Sequence, residues 1–120
     1  MIDWSVALDY VGGDRKLLRD LAGIFLDECP RWMAELRQAI AARSAADLKR
    51  LGHTLKGSLG HFGVRAGFDA AYQLEKMARD GMLDGAPGAC AALAVELERL
   101  RPVLAAFVET GDLGPGGADN

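Results

Sequence analysis

Apolar residues in this chain recur at three- and four-residue steps and almost nowhere at the two-residue step of a half-buried strand. Leu17, Leu18, Leu21, Ile24, Phe25, Trp32, Met33, Leu36 and Ile40 trace one such stripe, and no run of β-branched residues offers a strand in its place. A chain patterned in this way buries its stripes by laying helices against one another. Glycine, proline and capping residues then mark where each helix stops. A short first helix is expected over Asp3 to Tyr10, ended by Gly12-Gly13, and Asp14 is placed to cap a long second helix that reaches about Ala42 with a bend at Pro30. Ser44, three residues before Asp47, resembles a capping box with the shorter acid and opens a third helix through Phe62, which Gly63 ends. A fourth helix fits Arg65 to Asp80, stopped by Gly81. A fifth fits Pro87 to Thr110, with Pro87 in its first turn and a kink at Pro102.

Four substantial amphipathic helices with short connections predict an all-α fold: an antiparallel four-helix bundle over residues 1–112, with the short accessory N-terminal helix as a lid over one end. Residues 113–120, glycine-rich and short of apolar side chains, are expected to form a flexible tail. A chain of 120 residues is long enough to bury such a core without metals or disulfides, and since one chain closes its own bundle a monomer is expected. Met1 and the polar tail lean towards an independent chain.

Charge and cysteine usage narrow the function. The net charge of −3 argues against a nucleic-acid partner, which would favour a basic face. No apolar run approaches the roughly 20 residues of a membrane span, and the N-terminus opens with an acid where a secretory signal would carry positive charge. A cytoplasmic location and no membrane partner are therefore expected. Cys29 and Cys90 lie far apart, outside any CxxC pair or Cys/His cluster, and read as reduced thiols near the core, so no metal site is expected.

Against this plain background one stretch stands out. Residues 52 to 63 read GHTLKGSLGHFG and carry four glycines inside or at the end of a predicted helix, where each interior glycine costs about 1 kcal/mol relative to alanine. On a wheel turning about 100° per residue with His53 at zero, Leu51, Phe62 and Leu55 fall near 160°, 180° and 200°, with Leu48 and Leu59 near 220° and 240°. His53 therefore faces away from the buried stripe. Lys49 and Lys56 lie about 40° and 60° to one side of it, and Gly57 and Gly60 lie within about 40°. An imidazole beside lysines, on a face cleared of side chains, suits presentation to an anion, either a phosphate or a carboxylate. Gly52 is expected only to allow close approach of a neighbouring backbone. His61, turned about 80° from His53, reads as a surface or C-terminal helix-dipole histidine.

Neutral imidazole is a nucleophile at one nitrogen when the other holds the proton, so an acceptor must fix the tautomer. Glu75, on the following antiparallel helix, is placed to be that acceptor. Lys56, one turn from His53, could offset charge on a transferred group. No nucleophile elbow, Walker loop, dinucleotide fingerprint or HExxH motif offers another chemistry.

The stretch HTLKGSLGHFGV closely resembles the signature of histidine phosphotransfer (HPt) domains, commonly of the form HxLKGxxxxxGA. GGDRKLLRDLAGIFLDECPRWMAEL is similar to the family's second helix and AYQLEKMARDG to its fourth, so the resemblance spans about residues 1 to 112. It implies a four-helix bundle with an accessory helix, and a phosphocarrier rather than an enzyme. His53 would be the phosphoacceptor on Nε2, Lys56 the charge-offsetting lysine, Gly57 the clearance glycine, and Glu75 the group near the other ring nitrogen. The implied partners are response-regulator receiver domains and a histidine or hybrid kinase. The resemblance implies no cofactor, because magnesium belongs to the receiver's acidic pocket. Ile2, Val11 and Leu18 are expected to contribute an apolar patch against the receiver, with Trp4 and Leu8 in the core. Phe62-Gly63-Val64 stands where Leu-Gly-Ala is usual, and Gly52 replaces a commoner alanine. Two other uses remain open at this stage: the phosphoacceptor domain of a chemotaxis-type kinase, and a helical interaction module that takes no phosphate.

Overall fold

The computed structural model describes residues 2–113, so the glycine-rich segment 114–120 lies outside the described residues. Five helices make up the fold: α1 (Trp4–Tyr10), α2 (Arg15–Ala41), α3 (Ala45–His61), α4 (Arg65–Asp80) and α5 (Ala86–Thr110). Among the described residues there is no strand. Helices α2 to α5 pack in a ring in which each touches its two neighbours and α5 closes back onto α2, giving a body of 45 × 20 × 20 Å. Short turns between successive helices make them antiparallel.

The caps explain the boundaries. Asp3 accepts hydrogen bonds from the amides of Ser5 and Val6, Asp14 from that of Leu17, and Ser44 from that of Asp47. The capping box at α3 is only half made, because the Ser44 amide donates to the Ala39 carbonyl instead of to Asp47. Gly81 and Gly111 close α4 and α5 in the left-handed conformation. Both α2 and α5 run on through their prolines, Pro30 and Pro102.

Inside the ring, leucines from all four long helices fill the core, among them Leu36, Leu55, Leu59, Leu93, Leu100 and Leu104 at zero exposure. The short α1 lies over the end formed by the start of α2 and the end of α3. The Trp4 ring meets Phe107 at 4.9 Å between centroids, and the Asp3 amide donates to the Phe62 carbonyl. Gly63, with φ at +67°, makes the α3–α4 turn, and a β-carbon there would stand 2.7 Å from that of Asp3. The turn and the seat of α1 thus require the same glycine. Leu113 is buried against the core.

Helices α3 and α4 meet backbone to backbone at Gly52. A β-carbon on this residue would lie 2.9 Å from the Glu75 amide nitrogen and 3.1 Å from the Ala71 carbonyl oxygen. Backbone cannot swing aside as a flexible side chain can. We expect Gly52→Ala to push the two helices apart at a cost of about 1–3 kcal/mol, read as a lower urea midpoint with an unchanged slope.

Candidate functional site

The contact at Gly52 sets the distance across which Glu75 reaches His53. Glu75 Oε2 stands 3.0 Å from His53 Nδ1, and Oε1 stands 2.7 Å from Lys56 Nζ. One carboxylate therefore engages both of the polar residues that α3 presents here. Their exposures differ sharply: the imidazole is 71% exposed, whereas the side chains of Lys56 and Glu75 are 23% and 12% exposed. A nearly buried carboxylate next to Nδ1 acts as acceptor for an N–H there. That leaves the lone pair of the neutral ring on Nε2, directed to solvent.

Electrostatics keep the carboxylate charged. The Lys56 ammonium, followed by the hydrogen bond from His53, holds the Glu75 pKa below its usual 4.5 against a burial effect that would raise it. Because the folded-state value lies below the unfolded one, the pair contributes stability that is fully present above pH 4.5 and is lost as pH falls through the lower folded value. As pH falls below 4.5 the unfolding free energy of Glu75→Gln should accordingly fall less steeply than that of the wild type, as measured by urea titration at each pH.

The glycines divide by role. Gly57, one turn from His53, has nothing within 4 Å of its missing β-carbon, so the fold itself makes no demand for a glycine there. Gly60 is different: its missing β-carbon would meet the Phe68 ring at 3.3 Å, so at this position the absent side chain makes room for α4 and not for an incoming molecule. Lys49 is exposed on the same helix.

Three features were not foreseen from the sequence. Tyr10 of α1 stacks on His61, ring centroids 3.7 Å apart and planes 11° from parallel. Tyr72 of α4 places its ring 5.5 Å from Lys56 Nζ. Leu18, expected in a surface patch, is buried on the same face of α2 as Ala22 and Phe25, and its neighbour Leu17 faces out instead. Ile2 and Val11 are half-buried and pack against the core, as Leu8 does, while Trp4 is fully buried. The exposed apolar side chains of α1 and α2 are Val6, Tyr10, Leu17 and Ile24. A shallow groove lined by Tyr10, Leu21, Ile24, Trp32, Ser58 and His61 runs beside the second half of α3.

Cys29 is half-buried and Cys90 buried, both as free thiols, and burial pushes the Cys29 thiol up to about 11. Among the described residues no helix is long and apolar enough to cross a membrane.

Comparison with known proteins agrees with the fold. The family model described as Hpt domain matches residues 20–102. A solved structure titled as the HPT domain from the Hpt sensor hybrid histidine kinase from Shewanella superposes with a TM-score of 0.79 at 16% sequence identity, covering 90% of this chain and 93% of the other. At that identity the likeness is one of fold. No curated protein sequence matches the chain.

Proposed function

The chain belongs to the Hpt domain family, the phosphotransfer modules of two-component systems that work with histidine kinases and response regulators, and from that premise we propose that His53 carries the phosphoryl group in a cytoplasmic phosphorelay, taking it from a receiver-domain aspartate and passing it to a second receiver. One observation carries this reading: His53 Nδ1 is held 3.0 Å from Glu75 while the ring is 71% exposed, which presents Nε2 as a nucleophile.

In the transfer step the Nε2 lone pair forms the N–P bond as the bond from phosphorus to the aspartyl oxygen breaks, and the carboxylate departs with its electron pair. The Nδ1 proton stays in place. The ring then bears positive charge, and Glu75 faces it at hydrogen-bond distance, which stabilises the phosphorylated form and keeps the nitrogen–phosphorus bond ready for the next receiver. Lys56 acts from the same side. Its ammonium is matched by Glu75 in the resting protein and lies one turn from His53, close enough to lower the cost of bringing a dianionic group to the ring. Gly57 leaves the approach open.

A receiver that reaches Nε2 also covers the surface beyond Gly57, where the groove beside Ser58 and His61 begins about 8–12 Å further along α3. Tyr10 and Ile24 are exposed apolar side chains that line it, and together with the groove they form the proposed docking surface. The chain would act as a monomer, since one copy closes the bundle.

The test is incubation with receiver domains phosphorylated on aspartate, followed by addition of a second, unphosphorylated receiver. The expected result is acid-labile, base-stable label on this protein that is then lost to the second receiver. Absence of label with every receiver of the same cell, together with labelling by a histidine kinase and ATP, would contradict the receiver-to-receiver role.

A further inference from the structure

Glu75 can select the tautomer of His53 only while it is ionised and correctly turned. Losing its cation would raise the pKa of this carboxylate, whose side chain is 12% exposed, and would free it to turn away from the ring. The cation is Lys56, the largest influence holding the Glu75 pKa down. Lys56 comes from the other helix on a flexible stem and has solvent as an alternative, so something must keep its ammonium at the carboxylate.

Tyr72 is placed to do so. It precedes Glu75 by three residues, on the same face of α4, and its ring lies 5.5 Å from Lys56 Nζ, within reach of a cation–π contact. The aromatic face and the carboxylate thus both attract the same ammonium, and the carboxylate's second oxygen remains for His53 Nδ1.

We propose that Tyr72 is a positioning residue for phosphotransfer, whose ring face keeps the Lys56 ammonium on Glu75 and thereby keeps the His53 proton on Nδ1 and the lone pair on Nε2. The inference rests on His53 being the phosphoacceptor, but its consequence for the ring can be measured without any transfer. An imidazole with no directing partner places its proton preferentially on Nε2, the opposite of what the reaction needs. Weakening the Tyr72–Lys56–Glu75 series should let that intrinsic preference return.

Two variants separate the ring face from the hydroxyl: Tyr72→Leu removes both and Tyr72→Phe keeps the face. Tyr72 is exposed, so both variants should fold. The tautomer is read from the ¹⁵N shifts of the His53 ring at a pH where the imidazole is neutral, and reactivity from the rate of labelling by phosphoramidate, which needs no docking surface. Tyr72→Leu is expected to shift the ring towards the Nε2–H form and slow labelling about threefold to tenfold, the range of a partly buried cation–π contact. Tyr72→Phe is expected to stay close to the wild type in both. An unchanged tautomer in Tyr72→Leu overturns the proposal, as does a shift in Tyr72→Phe equal to that in Tyr72→Leu. If wild-type His53 takes no phosphoryl group at all, the phosphoacceptor reading fails by itself, whatever the tautomer shows.

Discussion

A His53→Gln protein should fold normally and take no phosphoryl group from any receiver or from phosphoramidate. The fold survives because the side chain is 71% exposed and, among the described residues, is hydrogen-bonded to Glu75 alone. The glutamine amide can still donate to that carboxylate. The chemistry does not survive, since an amide nitrogen has no lone pair available to attack phosphorus. His61 is not arranged to stand in, because it stacks on Tyr10 and, among the described residues, no carboxylate is hydrogen-bonded to it. Circular dichroism and urea unfolding would establish the fold. Label at the wild-type level in this variant would assign the reaction to another residue.

Gly57→Leu should part stability from function in the opposite sense to most substitutions. Nothing lies within 4 Å of a β-carbon at Gly57, so the leucine's β-carbon meets no clash, and the helix gains most of the roughly 1 kcal/mol of propensity by which glycine trails alanine. The melting temperature should rise by about 3–6 °C. Transfer from a receiver should nevertheless fall about 100-fold, because reacting atoms must close to about 3–3.5 Å and a displacement near 1 Å costs that much. Labelling by phosphoramidate, which is small enough to pass the leucine, should change far less. Equal receiver transfer in wild type and variant would mean that Gly57 clears no path. The contrast with Gly52→Ala is informative: two glycines five residues apart on one helix, one required by the neighbouring backbone and the other by nothing in the chain itself.

That contrast also marks what the sequence could show. Several helix boundaries were legible because they rest on local devices, Asp14 and Ser44 at the starts of α2 and α3 and Gly81 at the end of α4, and local devices need only neighbouring residues. The facing of His53 away from the core followed from helical periodicity alone. Its contact with Glu75 was within reach because a tight turn at Gly63 fixes which residues of α3 and α4 lie opposite. The Lys56 contact with the same oxygen pair was not, since it depends on where a long side chain goes among several options. Gly60 was misread as clearance for a ligand because the wheel shows a face but not the Phe68 ring packed over it. Leu18 was misread although Leu17 and Leu18 are adjacent on α2, because Leu18 shares the buried i, i+4, i+7 face of Ala22 and Phe25 while Leu17 turns to solvent. The stacking of Tyr10 on His61 joins two helices that no local pattern connects.

The central claim is that Glu75 fixes the tautomer and thereby makes Nε2 of His53 the nucleophile. The measurement that meets it most directly is ³¹P–¹⁵N correlation spectroscopy on the ¹⁵N-histidine-labelled protein after phosphorylation by a receiver. The account predicts a single phosphohistidine, at residue 53, with phosphorus coupled to Nε2 and a proton retained on Nδ1. Phosphorus on Nδ1 of His53, or on any other side chain, would contradict it.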